Sequence, residues 1–479
     1  VKNSAQGPAS GSARTLPRSV VALLAIATAT SVAVAYYSQP LLEAIGTDLG
    51  IPATVAPLIV TLTQLGFAAS LFLILPLGDM LNRRRLIVGL SVLSALVLGL
   101  TALAPTGTWV LWLSPLVGAM AVVAQLLVAL TATLAPAEQR GRVVGTVMSG
   151  LLIGILLART AAGLIADLAG WRAVYVTAAT SMLAVAAALA RRLPSEESAG
   201  TTRNYIRLLG SVLDLVYQQK VLRTRMLFGA IAFAQFSVLW TALTSLLSGE
   251  PYGYSEGVIG LFGVIGAAGA LGARFAGKLA DSGRSATTTL GAAITMLVSW
   301  PALLFGGDDL IALVLGILLL DFGVQAMHVT NQSQIYALPG DARSRITSAY
   351  MTAYFAGGAL GSAAVSVAAS RWGWTGVCTV GAGFALLQLL TAALRPRESS
   401  QAIGALSVCS QDKNLWSLGE SISLGDPGMA STSVTGVHPT VPRLSWLDYL
   451  QEAADSGRID RACWLRCLYP YSAQASGHY

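Results

Sequence analysis

Four polar side chains share one face of an otherwise apolar run. Asp321, Gln325, His328 and Gln332 stand at i, i+4, i+7 and i+11, with Asn331 beside them. Such a face turned toward lipid would be prohibitively unfavourable, so it must look into a cavity or at a neighbouring helix. A carboxylate withdrawn from water can take up a proton and release it as its surroundings change. Asp321 is therefore the candidate proton-coupling group and His328 a second relay. The competing readings are a structural ion pair for Asp321 and a satisfied packing histidine for His328.

Another apolar run carries a guanidinium. By helical rise, Arg159 lies roughly 24 Å from the basic end of its helix, in the outer third of a membrane. A charge at that depth costs at least a few kcal/mol unless it meets a partner or water. Three roles are open: binding an anionic group of a substrate, which a guanidinium fork suits, pairing with an acid elsewhere in the chain, or snorkelling to the outer interface.

These residues need helices to hold them. Of 479 residues, 54% are hydrophobic and 11% charged, and the mean hydropathy is +0.65. Twelve apolar windows of about 18–25 residues run from 20–42 to 375–393, each long enough to cross about 30 Å of hydrocarbon as a helix. Closed-barrel alternation is absent from them. The expected fold is all-α and polytopic, with twelve transmembrane helices in two pseudo-symmetric six-helix bundles. Arg14 and Arg18 before Ala33, Val34 and Ala35 imitate a secretory leader. Because the apolar character continues to Ile45, the segment is read as the first helix.

Charge orients the bundle. Arg83, Arg84, Arg85, Arg140, Arg142, Lys278, Arg284, Arg343 and Arg345 fall in alternate short loops, whereas the loops between hold Arg172 and Arg371. The positive-inside rule places the basic side and both termini in the cytoplasm. This asymmetry accounts for the pI near 9.3, and no nucleic-acid partner is expected. The organisation is a tail at 1–19, a six-helix bundle at 20–190, a central cytoplasmic loop at 191–224, a second bundle at 225–394 and a cytoplasmic tail at 395–479.

The two bundles repeat one another. Pro136 and Pro339, Arg140 and Arg343, Arg142 and Arg345, Met148 and Met351, Gly154 and Gly357, and Gly170–Trp171 and Gly373–Trp374 are all 203 residues apart. Asp79 in LPLGDMLNRRR and Asp281 in GKLADSGRS occupy equivalent places 202 apart. Duplicated halves of this kind build alternating access around a midplane site.

On these residues, over roughly 18–395, the chain resembles the major facilitator superfamily. The family's loop between helices 2 and 3 reads Gly-x-Leu-Ala-Asp-x-x-Gly-Arg followed by basic residues. The first copy here keeps Asp79, Arg83 and Arg84 but has Leu75 and Asn82 at the glycine positions. The second keeps Gly277, Leu279, Ala280 and Asp281, with Arg284 one residue early. The resemblance implies that Asp79, Arg83, Arg84, Asp281 and Arg284 gate the cytoplasmic face. The alternative is a solvated basic loop. It further implies that helices 1, 4, 7 and 10 line the cavity, which nominates Gln39, Gln125, Gln235 and Asp321 for substrate contact. Trp240, Gln325 and Asn331 join them as polar or aromatic residues inside spans. For each amide, an interhelical hydrogen bond is the competing role.

Drug–proton antiporters of the family carry Gly-x8-Gly-x3-Gly-Pro-x2-Gly-Gly in helix 5. Here those positions hold Gly145, Gly154, Ala158, Arg159, Ala162 and Gly163, so the small-residue face persists but Gly-Pro has become Ala-Arg. The expected function is a secondary transporter of a small organic solute, proton-coupled and exporting by family analogy, in the inner membrane. Proton-coupled uptake of an anionic metabolite and a non-transporting sensor are the alternatives. The expected partners are substrate, protons and lipid, and the expected state is a monomer. Glycines at 260, 263, 266, 269 and 272 follow no strand and precede no Lys-Ser or Lys-Thr, so they serve helix packing rather than phosphate binding. No metal, nucleotide or nucleophile pattern occurs, so neither a cofactor nor an enzyme is expected; an intramembrane hydrolase lacks its Ser/His or paired-Asp constellation. After about Gln401 the composition turns to Ser, Gly, Asp and Pro. Cys409, Cys463 and Cys467 sit there without further metal ligands, and an amphipathic helix near Leu444–Ala453, disorder, or a reading-frame change are all compatible with the tail.

Overall fold

Two helices are too long for one crossing. In the computed structural model, which describes residues 17–136, 139–193, 204–266, 279, 284–338 and 343–394, α7 (Arg140–Arg192) has 53 residues and α13 (Arg343–Ala393) has 51. At 1.5 Å per residue each would run over about 75 Å, more than twice the hydrocarbon thickness. Each breaks instead at a glycine with positive φ, Gly170 at 79° and Gly373 at 56°, a conformation that costs other residues a Cβ clash. Each of these helices therefore supplies two crossings.

The remaining elements are α1 (Arg18–Ala33), α2 (Leu42–Leu49), α3 (Pro57–Leu73), α4 (Arg83–Ala102), α5 (Gly107–Met120), α6 (Val122–Leu134), α8 (Tyr205–Gln218), α9 (Lys220–Ser248), α10 (Glu256–Ile265), α11 (Ser285–Phe305) and α12 (Leu310–Tyr336). Eight helical stretches among the described residues are long and apolar enough to cross a membrane, with α1 and α10 as shorter apolar helices. The described residues contain no strand. Local sequence sets several starts: Asn82 accepts the Arg85 N–H at the head of α4, and Asp309 accepts those of Ile311 and Ala312 at the head of α12.

Several boundaries differ from the sequence expectation. The seventh span, α9, begins at Lys220 rather than 225, which draws Arg225 into the bundle, 8% exposed. The central loop carries the amphipathic helix α8, whose Tyr205 hydroxyl donates to the Leu73 carbonyl. Asp281 and the tail from 395 onward lie outside the described residues.

The internal repeat has a physical counterpart. A Cβ on Gly154 would come within 2.4 Å of the Ala29 carbonyl oxygen, and one on Gly357 within 2.1 Å of that of Ala230. Equivalent glycines thus let the fifth and eleventh helices lie directly on the first and seventh. After each kink a tryptophan ties the turn down: Trp171 Nε1 donates to Asp48 Oδ2 at 3.1 Å, and Trp374 Nε1 to the Leu303 carbonyl at 2.8 Å.

The halves join along two seams. In one, α3 lies against the first arm of α13, with Ser348 Oγ donating to the Leu71 carbonyl at 2.6 Å and Ser362 Oγ to that of Pro57 at 3.2 Å. Between these bonds Phe67 packs on Phe355, ring centroids 4.1 Å apart. In the other, α10 crosses the first arm of α7 where a Cβ on Gly260 would meet the Arg159 carbonyl oxygen at 2.7 Å. The second seam positions the site.

Candidate functional site

The first span unwinds where the polar residues gather. Past α1 the chain turns through residues 34–38 into a short 3-10 turn, Gln39–Leu41, with Pro40 at its centre. The turn carries the Gln39 side chain to the flank of α7, where its Oε1 accepts from Arg159 Nε at 2.6 Å. Arg159 is 4% exposed and Gln39 1%, so the guanidinium does not snorkel to the interface. It lies 4.2 Å from the ring centroid of Trp240, 5.0 Å from that of Tyr36 and 5.3 Å from that of Phe236. Aromatic faces attract a desolvated cation by up to about 2 kcal/mol each.

Trp240 is the hinge of the arrangement. Its face takes Arg159 of the N-terminal half while its Nε1 donates to Asp321 Oδ1 at 3.2 Å. Arg159 and Asp321 form no ion pair within hydrogen-bonding range; they share the indole. Asp321 is 4% exposed, and a Cβ on Gly266 would stand 2.5 Å from its Oδ2, so glycine there leaves the carboxylate its space. Beside this group runs a narrow cleft lined by Gln39, Arg159, Trp240, Leu243, Thr244 and Ile259. Thr244 Oγ1 donates to the Gln39 carbonyl at 2.7 Å and closes one side.

His328 and the adjacent Asn331 belong to a second cluster. His328 Nδ1 is 3.0 Å from Tyr350 Oη, and Asn331 reaches the same hydroxyl and Arg225 at 3.5 Å. Arg225 also donates to Thr289 Oγ1 at 3.0 Å. His328 is two helical turns, about 10 Å, from Asp321, and its neighbours are Tyr350 and Tyr354. Gln325 is half-buried, as is Gln125. Gln235 lies away from the cleft: its Oε1 accepts from Trp300 Nε1 at 3.1 Å, inside the C-terminal bundle.

At the basic end, Asp79 and Arg83 form an ion pair at 3.0 Å. Arg83 also donates to the Gly78 carbonyl and Thr133, and Arg84 to the Ala190 carbonyl. Each of these partners belongs to the N-terminal half. Arg284 is exposed at the head of α11.

The family model described as Major Facilitator Superfamily matches residues 24–362. The chain belongs to the major facilitator superfamily. The facilitator YgaY of Escherichia coli, named as an uncharacterized transporter, is 50% identical over 378 residues, 78% of this chain and 95% of the relative. A probable transporter of Streptomyces coelicolor is 36% identical over 394 residues, covering 82% of this chain and 90% of its own. Among solved facilitators, a bacterial homologue of the lysosomal transporter Spinster, inward-facing and occupied, superposes with a TM-score of 0.62 at 12% identity over 78% of this chain and 95% of that one. The nucleoside transporter NupG gives 0.62 and 12% over 78% and 99%. These likenesses make the protein a multi-pass membrane transporter of this superfamily.

Sequence reasoning assigned no role to three residues of this facilitator. Tyr36 and Phe236 complete the cage around Arg159, and aromatic content inside a span was their only signal. Asp167, in α7, reaches across to the other half. Its Oδ2 accepts from the Ser255 hydroxyl at 2.8 Å, and the carboxylate also takes the backbone N–H groups of Glu256 and Gly257 at the head of α10. A Cβ on Gly257 would stand 2.3 Å from that oxygen.

Proposed function

We propose that this facilitator is a proton-coupled secondary transporter moving a small organic solute across the cytoplasmic membrane by alternating access, with its basic face in the cytoplasm. The observation that carries the reading is the axis Arg159–Trp240–Asp321. One charge comes from each half and both rest on one indole, so separating the halves must change the surroundings of both. Asp321 is the proton site in this reading, and a proton reaching or leaving it passes from whichever side is open. Because one chain supplies both halves of the site, a monomer suffices.

Asp79, Arg83 and Arg84 hold the basic end of the N-terminal half together, and with Asp281 and Arg284 they form the cytoplasmic gate in this account. The reading of export rests on analogy with the family's drug–proton antiporters, whose helix-5 Gly-Pro is Ala158–Arg159 here. Proton-coupled uptake of an anionic metabolite is the second reading, and the caged guanidinium of Arg159 favours it. Proteoliposomes with a trapped pH indicator separate the two. Antiport moves protons against the solute, and co-transport moves them with it. Asp321→Asn abolishes solute-driven proton movement in either case; proton movement that survives the substitution overturns the coupling role.

A further inference from the structure

Two residues that line the cleft each bury a donor without an acceptor. Arg159 Nη2 and Gln39 Nε2 are both buried and make no hydrogen bond, although the two side chains touch through Nε and Oε1. The orientation of the amide is not free: a guanidinium has only donors, so Oε1 must face it and Nε2 must point elsewhere. A buried donor left unsatisfied costs about 1–3 kcal/mol, more on a charged group. Such a cost persists where a ligand recovers it.

We propose that the cleft is a carboxylate site, in which Arg159 Nη2 and Gln39 Nε2 hold a small monocarboxylic acid whose apolar body lies against Trp240, Leu243 and Ile259. The inference rests on reading this cleft as the substrate site. Three features select the class. Two neighbouring N–H donors, one charged, match the acceptor pair of a carboxylate. A phosphate dianion would bring two charges against one guanidinium beside the Asp321 carboxyl. The cleft is narrow and its wall is largely apolar, which selects a small body. Charge counting then sets the sign of coupling. Arg159 and ionised Asp321 balance alone, so an added acid anion leaves the enclosure neutral only with one proton more. Acid and proton cross together.

The test begins with binding, independent of flux. Purified full-length protein is titrated by calorimetry with acetate, benzoate and phenylacetate, and with benzamide and benzylamine as neutral and cationic counterparts. At least one acid binds about 10–100-fold more tightly than the amide, the worth of one charge-assisted hydrogen bond. Gln39→Met, of similar volume, and Arg159→Lys, which keeps charge but loses the fork, each weaken the acid more than they weaken benzamide, so the acid-to-amide preference falls. Equal binding of acid and amide by the wild-type protein overturns the proposal without any variant, as does failure of every acid to bind, in which case water satisfies the donors. Acid affinity that both variants retain overturns it too. Acid binding without proton movement would sustain the clamp and sink the coupling on Asp321. Proton-coupled flux of a neutral solute without acid binding would do the reverse.

Discussion

Asp167→Ala unlocks the face opposite the basic one. Asp167 caps α10 from the other half of the molecule, through Ser255 Oγ at 2.8 Å and the N–H groups of Glu256 and Gly257. Opening that face by separating α7 from α10 has to break the Ser255 bond and take the carboxylate away from the head of α10. Removing a helix N-cap costs about 0.5–2 kcal/mol, typically about 1. The Asp167 side chain is exposed, so water recovers part of the loss and the lower half of that range applies. About 1 kcal/mol off the closed state raises the open population roughly fivefold. Asparagine caps almost as well as aspartate, so Asp167→Asn stays near wild type. In a background with Cys378, Cys409, Cys463 and Cys467 replaced, a Leu243→Cys reporter in the cleft is alkylated by an impermeant maleimide from outside. Its rate rises about fivefold in Asp167→Ala and less than twofold in Asp167→Asn. An unchanged rate in the alanine variant, or equal effects of the two, would refute the argument that the carboxylate acts as a cap across the halves.

Other substitutions probe separate parts of the account. Gly357→Val places a side chain where even a Cβ would approach the Ala230 carbonyl to 2.1 Å, so it lowers the melting temperature in detergent and costs at least the ~1–3 kcal/mol of overpacking. Gln235→Leu leaves the buried Trp300 N–H without its acceptor and destabilises by about 1–3 kcal/mol. Because Gln235 lies away from the cleft, solute affinity of the folded fraction stays unchanged; a selective loss of affinity would return it to the site. Asp48 carries a pH dependence. The hydrogen bond from Arg172, with that from Trp171, holds its carboxyl below the ordinary carboxylate value. A depressed folded-state pKa means stability that is present above the ordinary carboxylate value and lost as pH falls through the folded one. Melting temperatures followed from pH 6 to pH 3 therefore fall less steeply in Asp48→Asn, and parallel curves would count against the pair.

The spans were legible because lipid leaves a helix no other way to satisfy its backbone, so length and hydropathy suffice. The repeat was legible as well: Gly154, Gly170, Gly357 and Gly373 are residues that backbone contact and positive φ demand, and such demands leave a periodic trace. Burial was readable for Arg159 and Asp321, since a charge inside an apolar run has to turn away from lipid. Sequence could not say which way a side chain turns around its helix. Gln39, Gln125 and Gln235 were equivalent as amides in cavity-lining helices, yet one holds Arg159, one is half-buried and one bonds Trp300 inside its own bundle. Spacing placed Asp321 and His328 on one stripe, but contacts assign the first to Trp240 and the second to Tyr350. Tertiary neighbours decide this, and a local period contains none of them. Asp167 escaped notice because a carboxylate near a helix end is unremarkable until the helix it caps is known.

The central claim is that Asp321, facing Arg159 across Trp240, couples a proton to solute movement. Its most direct test is solute-induced proton movement in proteoliposomes, with wild-type and Asp321→Asn protein reconstituted at equal density and the solute taken from the binding screen. The account predicts a pH change inside wild-type vesicles that scales with solute flux and is absent from Asp321→Asn, which still binds the solute. Equal proton movement in the two, or solute flux in the wild type with no proton movement at all, would contradict it.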